Sequence, residues 1–109
     1  MQFDILGPLQ VLDAGRPLAL GRPKQRAVLA ILLLSADRVV SLDRLVDELW
    51  GEQSPAQALS SVQAYVSHLR RMLEPHRPPG APARVLVNQA PGYRLVIDDD
   101  DLDAARFQR

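Results

Sequence analysis

The sequence predicts an α+β fold of the winged helix-turn-helix type, with an N-terminal antiparallel sheet, three helices and a C-terminal β-hairpin wing. The first twenty residues alternate apolar and polar side chains, as strands do. Three segments between positions 23 and 74 have helical spacing, and two later strand-like runs are joined by the tight connection QAPG. At 109 residues the chain can bury one core and is too short for two domains.

The N-terminal sheet is predicted from period-two spacing that turn signals interrupt. Its three short strands carry the apolar pairs Phe3 and Ile5, Leu9 and Val11, and Leu18 and Leu20. Gly7-Pro8 separates the first two pairs, and the stretch DAGR at 13–16 separates the second pair from the third. We therefore expect three antiparallel strands joined by short turns.

Helix one is expected over residues 23–36, because Pro23 suits the first helical turn, where its missing N–H costs nothing. The apolar run AVLAILLL at 27–34 has eight residues, whereas a membrane span needs about 20. The run therefore indicates a helix in the core, and no membrane partner is expected.

Helices two and three follow in close succession. Ser41 is a suitable N-cap and Gly51 a suitable stop for a helix over 42–50, whose apolar stripe is Leu42, Leu45, Val46 and Leu49. Ser54 as cap and Pro55 at the first position predict a third helix over 55–74, which Pro75 ends. The two helices are then separated by about four residues, as in a helix-turn-helix.

The end of the chain predicts a wing and a boundary. A loop rich in proline and glycine at 76–83 precedes the runs ARVLVN and YRLVI, so residues 84–97 are expected to form a β-hairpin. Residues 1–97 are then one domain. The aspartates from position 98 are expected to form a solvated acidic boundary, and LDAARFQR at 102–109 to begin a further helical element.

Composition narrows the function classes. The chain has no cysteine, so a disulfide framework and a thiolate metal site are excluded. Its start, MQFDILGPL, lacks the features of a secretory signal, so a cytoplasmic location is expected. The net charge is zero, but five aspartates against two arginines over 98–109 leave residues 1–97 net positive. The charge therefore permits a nucleic-acid partner.

The outer face of helix three is the candidate functional surface. Leu59, Val62, Val66, Leu69 and Leu73 share one stripe at about 100° per residue. The opposite side is made of small or hydrogen-bonding residues and an arginine: Gln57, Ser60, Ser61, Ala64, Ser67, His68 and Arg71, with Gln63 and Arg70 on one flank and Tyr65 on the other. Such a face suits the major groove of DNA, where base edges need donors and acceptors and phosphates need cations.

Structural explanations for the same residues remain open. The face could be a merely solvated helix that is rich in serine. Arg70 and Arg71 could stabilise the helix C-terminus through the helix dipole. Trp50 could equally be a core residue or a ligand contact.

No catalytic or metal-binding arrangement is visible, and no cofactor is expected. His68 and His76 stand eight positions apart across a proline without any cysteine, which makes zinc improbable. An EF-hand reading from Asp98 fails, because Leu102 stands where an oxygen ligand is needed. The serines have no nucleophile-elbow context, so the chain is not expected to be an enzyme.

Four blocks carry a resemblance to a known family: GRPKQRAVLAILLL, VVSLDRLVDELWGEQSP, VQAYVSHLRRML and APGYRLVI. Together they resemble the N-terminal DNA-binding domain of the Streptomyces antibiotic regulatory proteins, a winged helix similar to the OmpR-type domain of response regulators. The resemblance covers residues 3–97 and keeps the order of the blocks. It implies a transcriptional activator whose helical activation domain follows the winged helix.

The resemblance also implies roles for individual residues. Helix three matches the recognition helix, and the candidates for DNA contact are Ser61, Ala64, Tyr65, Ser67, His68, Arg70 and Arg71. Trp50 matches a tryptophan whose neighbourhood touches a phosphate in related winged helices, and the wing contributes Asn88, Gln89, Tyr93 and Arg94. This chain departs from the pattern at His68, where a basic residue is usual, at Asn88, commonly threonine, and at Gln89, commonly arginine.

Partners follow from the same resemblance. Double-stranded DNA with direct repeats, bound by side-by-side protomers, and RNA polymerase are expected, at promoters of secondary-metabolite genes and hence on the nucleoid. The alternative is a protein-interaction or dimerisation module, since winged helices also serve as docking units. That alternative expects an exposed apolar patch on helix two and the N-terminal sheet, in place of a positive stripe along Arg70, Arg71, Arg84 and Arg94.

Overall fold

A computed structural model describes residues 1–98 and 101–103 of the chain. Within these ranges it contains two antiparallel sheets of three strands each and three helices. The helices and both sheets share one core, whose fully buried large side chains include Leu29, Leu32, Leu45, Leu69 and Leu95. The predicted α+β winged helix is confirmed. The predictions for Asp99, Asp100 and residues 104–109 concern positions outside the described residues.

The N-terminal sheet consists of β1 (Gln2–Asp4), β2 (Gln10–Asp13) and β3 (Arg16–Pro17), all antiparallel. Ala14 and Gly15 both have positive φ, 52° and 79°, which is the turn geometry that matches the twist of a two-residue hairpin. The third strand was expected around Leu18 and Leu20 and is shorter and earlier, because this turn pairs Asp13 directly with Arg16.

Helix α1 (Pro23–Leu34) begins with the proline at its first turn, as predicted. It buries Val28, Leu29, Leu32 and Leu33, so the apolar run does form a core helix. In its C-terminal half the opposite side is apolar as well, and Leu34 at its end is 72% exposed.

Strand β4 (Val39–Ser41) leads directly into helix α2 (Leu42–Trp50). The strand was not predicted; it forms by antiparallel pairing with β6 (Gly92–Leu95), far along the chain. The predicted cap is confirmed, because the Ser41 hydroxyl accepts a hydrogen bond of 3.0 Å from the Arg44 N–H. Gly51, with φ of 63°, ends the helix as expected.

Helix α3 (Ala58–Leu73) starts three residues later than the sequence predicted. Ser54 does not cap it and Pro55 is not its first residue. Instead the carbonyl of Pro55 accepts the Ala58 N–H at 3.1 Å, which closes a turn ahead of the helix. The connection from α2 is therefore residues 51–57, longer than expected.

The buried side of α3 differs from the predicted stripe only in the first turn of the helix. Val62, Val66, Leu69 and Leu73 are buried as predicted, together with Ala58. Leu59 was placed in the same stripe but is 50% exposed, because the core-facing side of the first turn runs through Ala58, about 100° away around the helix.

The wing is the hairpin β5 (Leu86–Gln89) and β6 (Gly92–Leu95), within the predicted range. β6 is the central strand, since β4 pairs with its other edge. A Cβ at Gly92 would overlap the carbonyl oxygen of Val40 and lie 2.8 Å from the Ser41 Cα. Only glycine therefore allows the wing to pass this close to the start of α2.

Leu102 and Asp103 of the acidic segment pack against the domain, whereas a solvated boundary was expected from Asp98 onward. Leu102 is buried and pairs with Phe3 of β1. The carboxylate of Asp103 accepts the N–H groups of Ile5 at 2.8 Å and Leu6 at 3.0 Å. Two otherwise unpaired backbone donors beyond β1 are thereby satisfied.

Candidate nucleic-acid interface

The side of α3 opposite Val66 faces solvent. The exposed residues on this side are Ala64, Ser67, His68 and Arg71, whereas the stripe of the helix that contains Val66 is buried. The prediction that this face points outward is confirmed. Gln57 and Ser60 extend the exposed face toward the start of the helix, while Ser61 is half-buried. Short side chains at its centre leave the backbone of α3 open to close approach by another surface.

Arg70 is held against the wing. Its Nε donates to the carbonyl of Leu86 at 2.8 Å, and its Nη2 donates to Oδ1 of Asn88 at 2.7 Å. Its guanidinium also lies 5.7 Å from the centre of the Tyr93 ring, within range of a cation–π contact. Desolvation lowers the pKa of Arg70 below its ordinary value. The residue therefore joins the helix to the wing, and its neighbour Arg71 stays exposed.

The wing residues divide between core and surface. Tyr93 is buried at 8% exposure, and its ring contacts the guanidinium of Arg70. Asn88 and Gln89 are exposed near the tip of the hairpin. Arg94 pairs across the sheet with Val39 and Val87, and its Nε is buried without a hydrogen-bond partner in the described part of the chain.

Trp50 is half-buried at the end of α2, beside a cation that sequence reasoning missed. The Lys24 Nζ lies 5.3 Å from the Trp50 ring centre and donates to the carbonyl of Leu49 at 3.2 Å. Lys24 thus stabilises the C-terminal end of α2, where carbonyls are unsatisfied. Its place in the first turn of α1 gave no signal for this contact, because the two helices meet only in the folded domain.

A groove of about 610 Å³ runs along the flank of α3 opposite Arg70. Tyr65 and His68 line it from the helix, and Arg22 and Gln25 line it from the start of α1. Arg22 was not among the sequence-predicted residues, because only the packing of α1 on α3 brings it near this helix.

DNA binding is expected to give a positive stripe on the surface, and protein docking is expected to give an exposed apolar patch. Arg71 and Arg84 are exposed, whereas Arg70 and Arg94 are half-buried, so the expected positive stripe is present in part. The large exposed hydrophobic residues of the described ranges are Met1, Leu6, Leu34, Leu59 and Val96. None belongs to α2, whereas Met1 and Leu6 lie close to β1 of the N-terminal sheet; the docking alternative expects an apolar patch on both of these elements.

The described ranges contain neither a candidate metal site nor a candidate membrane span. Residues 1–98 and 101–103 contain no cluster of three or more histidine, aspartate or glutamate side chains that could hold a metal ion. In the same ranges, no helix combines the length and apolar character that crossing a bilayer requires.

Comparison with known proteins shows similarity to a family of transcriptional regulators. Residues 15–95 match the family model described as "Transcriptional regulatory protein, C terminal". The Regulatory protein AfsR of Streptomyces coelicolor is 41% identical over 99% of this chain and 10% of its own length. The chain spans 34% or less of the length of several curated regulators that it matches.

Two solved structures are similar in fold. EmbR of Mycobacterium tuberculosis, solved in complex with a low-affinity phosphopeptide, superimposes with a TM-score of 0.88 and 45% identity over 97% of this chain and 27% of that chain. The DNA-binding domain of CadC from E. coli gives a TM-score of 0.63 and 26% identity over 82% of this chain and 79% of that chain.

Proposed function

The chain belongs to the OmpR-type family of transcriptional regulatory domains, and from this premise we propose that it is the sequence-specific DNA-binding domain of a bacterial transcriptional activator. The resemblance to the Streptomyces antibiotic regulatory proteins that the sequence indicated is confirmed. The family consists of transcriptional regulators and not of enzymes. The CadC domain of similar fold is itself a DNA-binding domain.

One observation carries the proposal: the exposed side of α3 combines short polar side chains with a free arginine. Ser67 and His68 can exchange hydrogen bonds with base edges, and Ala64 between them adds no bulk. Arg71 is exposed at the end of the same face, where a phosphate of the groove edge would lie. We therefore place α3 in the major groove of a duplex.

The wing supplies a second contact in this proposal. Asn88 and Gln89 at the tip of the hairpin are exposed and can reach the sugar-phosphate backbone or an adjacent groove. Tyr93 and Arg70 contribute by fixing the hairpin relative to α3, since both are engaged within the protein. The proposal also includes contacts at the margin of the interface by four half-buried residues, Trp50, Ser61, Tyr65 and Arg94.

The proposal includes partners that the resemblance implies. Side-by-side protomers bind direct repeats of the recognised sequence, and the bound regulator recruits RNA polymerase at promoters of secondary-metabolite genes. Such an arrangement repeats one contact in a head-to-tail manner rather than about a two-fold axis. It places the protein in the cytoplasm, on the nucleoid. A further helical domain after residue 98 remains a prediction.

Selection from a pool of random duplexes tests the function. The 109-residue chain is expected to retain a defined sequence at moderate salt, and to bind a scrambled duplex far more weakly at the same salt. Two copies of the selected sequence as direct repeats should bind a second protomer, whereas inverted repeats of equal spacing should not. Equal binding of selected and scrambled duplexes contradicts the proposal.

A further inference from the structure

We propose that the DNA-binding surface extends beyond α3 onto the start of α1, where Arg22 binds a backbone phosphate at the groove that it shares with His68. This inference rests on the proposed function and adds a contact on an element that the sequence did not associate with DNA. Three observations support this contact: the groove itself, a turn in its wall that a buried hydrogen bond holds, and the absence of a partner for the Arg22 guanidinium among the described residues.

The groove separates two elements that pack side by side. Its volume is about 610 Å³, and its walls come from residues 19–25 on one side and from α3 on the other. His68 and Ala64 belong both to this groove and to the exposed face of the helix. The groove is therefore continuous with the candidate interface and opens onto the same side of the domain.

The wall that carries Arg22 is firmly built. Gln25 is buried at 9% exposure, and its Nε2 donates to the carbonyl of Leu20 at 2.9 Å. Gly21 adopts a φ of 87°, and a Cβ at this position would lie 2.9 Å from the Gln25 side-chain carbon. The glycine thus lets the chain turn closely over Gln25 before Pro23 starts the helix. Arg22 is set at the rim of the groove by this turn.

The chemistry at the rim fits an oxyanion. Among the residues that the structure describes, none forms a hydrogen bond or ion pair with the Arg22 guanidinium, and Arg22 is exposed. The residues that line the groove include no aspartate or glutamate. A planar guanidinium with several fixed donors is well suited to a phosphate group, and the His68 imidazole across the groove can donate as well.

The groove lies on the flank of α3 opposite the wing, and this position suits one strand of a bound DNA duplex. At about 100° per residue, Arg70 lies about 40° to one side of Val66 and Tyr65 about 100° to the other. The wing therefore borders one flank of α3 and the groove borders the opposite flank. A helix in a major groove about 12 Å wide has a phosphate strand on each flank. The wing then meets one strand, and Arg22 meets the other.

The test compares Arg22→Ala with Arg38→Ala in the 109-residue chain, using the duplex that the wild type selects. Arg38 is exposed just beyond the far end of α1, so it is a matched control for the loss of one positive charge. For Arg22→Ala, the slope of log affinity against log salt should become shallower by about one unit, with the preferred sequence unchanged. Arg38→Ala should keep the wild-type slope, and Arg22→Lys should restore most of it.

Removing the charge of single phosphates in the duplex shows which phosphate Arg22 contacts. Replacing single phosphates of the duplex by methylphosphonates should weaken wild-type binding at several positions, and one of these positions should no longer affect Arg22→Ala. A slope and a methylphosphonate profile equal to the wild type would overturn the inference, as would a change of preferred sequence. These results leave the proposed function intact, whereas a wild type without sequence preference overturns both. Circular dichroism with urea verifies that each variant is folded.

Discussion

The guanidinium of Arg70 donates to the side-chain oxygen of Asn88 at 2.7 Å, and this contact joins helix α3 to the wing. The adjacent Arg71 is exposed on the same helix. Two neighbouring arginines of α3 thus differ: Arg70 positions the hairpin, and Arg71 is available for the phosphate contact that we propose.

Exchanging each arginine for alanine should separate these tasks. Arg70→Ala should lower the free energy of unfolding by about 1–2 kcal/mol, because it removes hydrogen bonds from a charged donor. Arg71→Ala should leave stability within about 0.5 kcal/mol of the wild type and reduce the salt slope of DNA binding by about one unit. Urea unfolding and salt-dependent binding measure the two effects. Equal stability of both variants would argue against the positioning role of Arg70.

Gly92 should tolerate no side chain. In Gly92→Ala the new methyl group would overlap the backbone of Val40, which cannot move without separating β4 from β6. We expect the free energy of unfolding to fall by about 2 kcal/mol or more. Gly7→Ala is the control, since no atom lies within 4 Å of a Cβ placed there. Similar urea midpoints for the two variants would contradict the close approach of the wing to α2.

The two serines that the sequence offered as helix caps should respond differently to alanine. The Ser41 hydroxyl accepts the Arg44 N–H, so Ser41→Ala should cost about 1 kcal/mol of stability. Ser54 lies outside α3 and does not cap it, so Ser54→Ala should change stability by less than about 0.5 kcal/mol. Thermal unfolding distinguishes the two. A comparable loss in Ser54→Ala would mean that α3 starts where the sequence predicted.

The comparison of these serines shows what local sequence can and cannot determine. Helix α2 was predicted to the residue because Ser41, the apolar stripe and Gly51 all act within one segment. The start of α3 was misplaced because Ser54-Pro55 is also a good turn, and the core begins only at Ala58. Strand β4 was missed because three residues form a strand only when β6 offers an edge.

The candidate interface also contains some features that local sequence predicts and others that arise only from the folded domain. The exposed side of α3 followed from helical periodicity alone, since its buried stripe is local in sequence. The link between Arg70 and Asn88 joins residues 18 positions apart, and no pattern within either segment encodes it. Arg22 and Lys24 came near the interface through the packing of α1 against its neighbours, which periodicity does not describe.

Asp103 should stabilise the domain although it stands in an acidic run. Its carboxylate accepts the N–H groups of Ile5 and Leu6, so Asp103→Ala leaves two backbone donors without this partner. We expect a loss of about 1–3 kcal/mol in the free energy of unfolding. Asp98→Ala removes an exposed carboxylate from the same run and should have little effect. Hydrogen exchange at the amides of Ile5 and Leu6 should accelerate only in Asp103→Ala.

Ala64 allows the most direct test of the claim that the outer face of α3 lies against a duplex. It is exposed at the centre of that face, so Ala64→Trp should fold with nearly wild-type stability while its indole blocks close approach. The control Leu34→Trp places the same side chain at an exposed site on α1. The affinity of each folded variant for the selected duplex should fall at least about tenfold in Ala64→Trp and stay unchanged in Leu34→Trp. Wild-type affinity in Ala64→Trp would contradict the account.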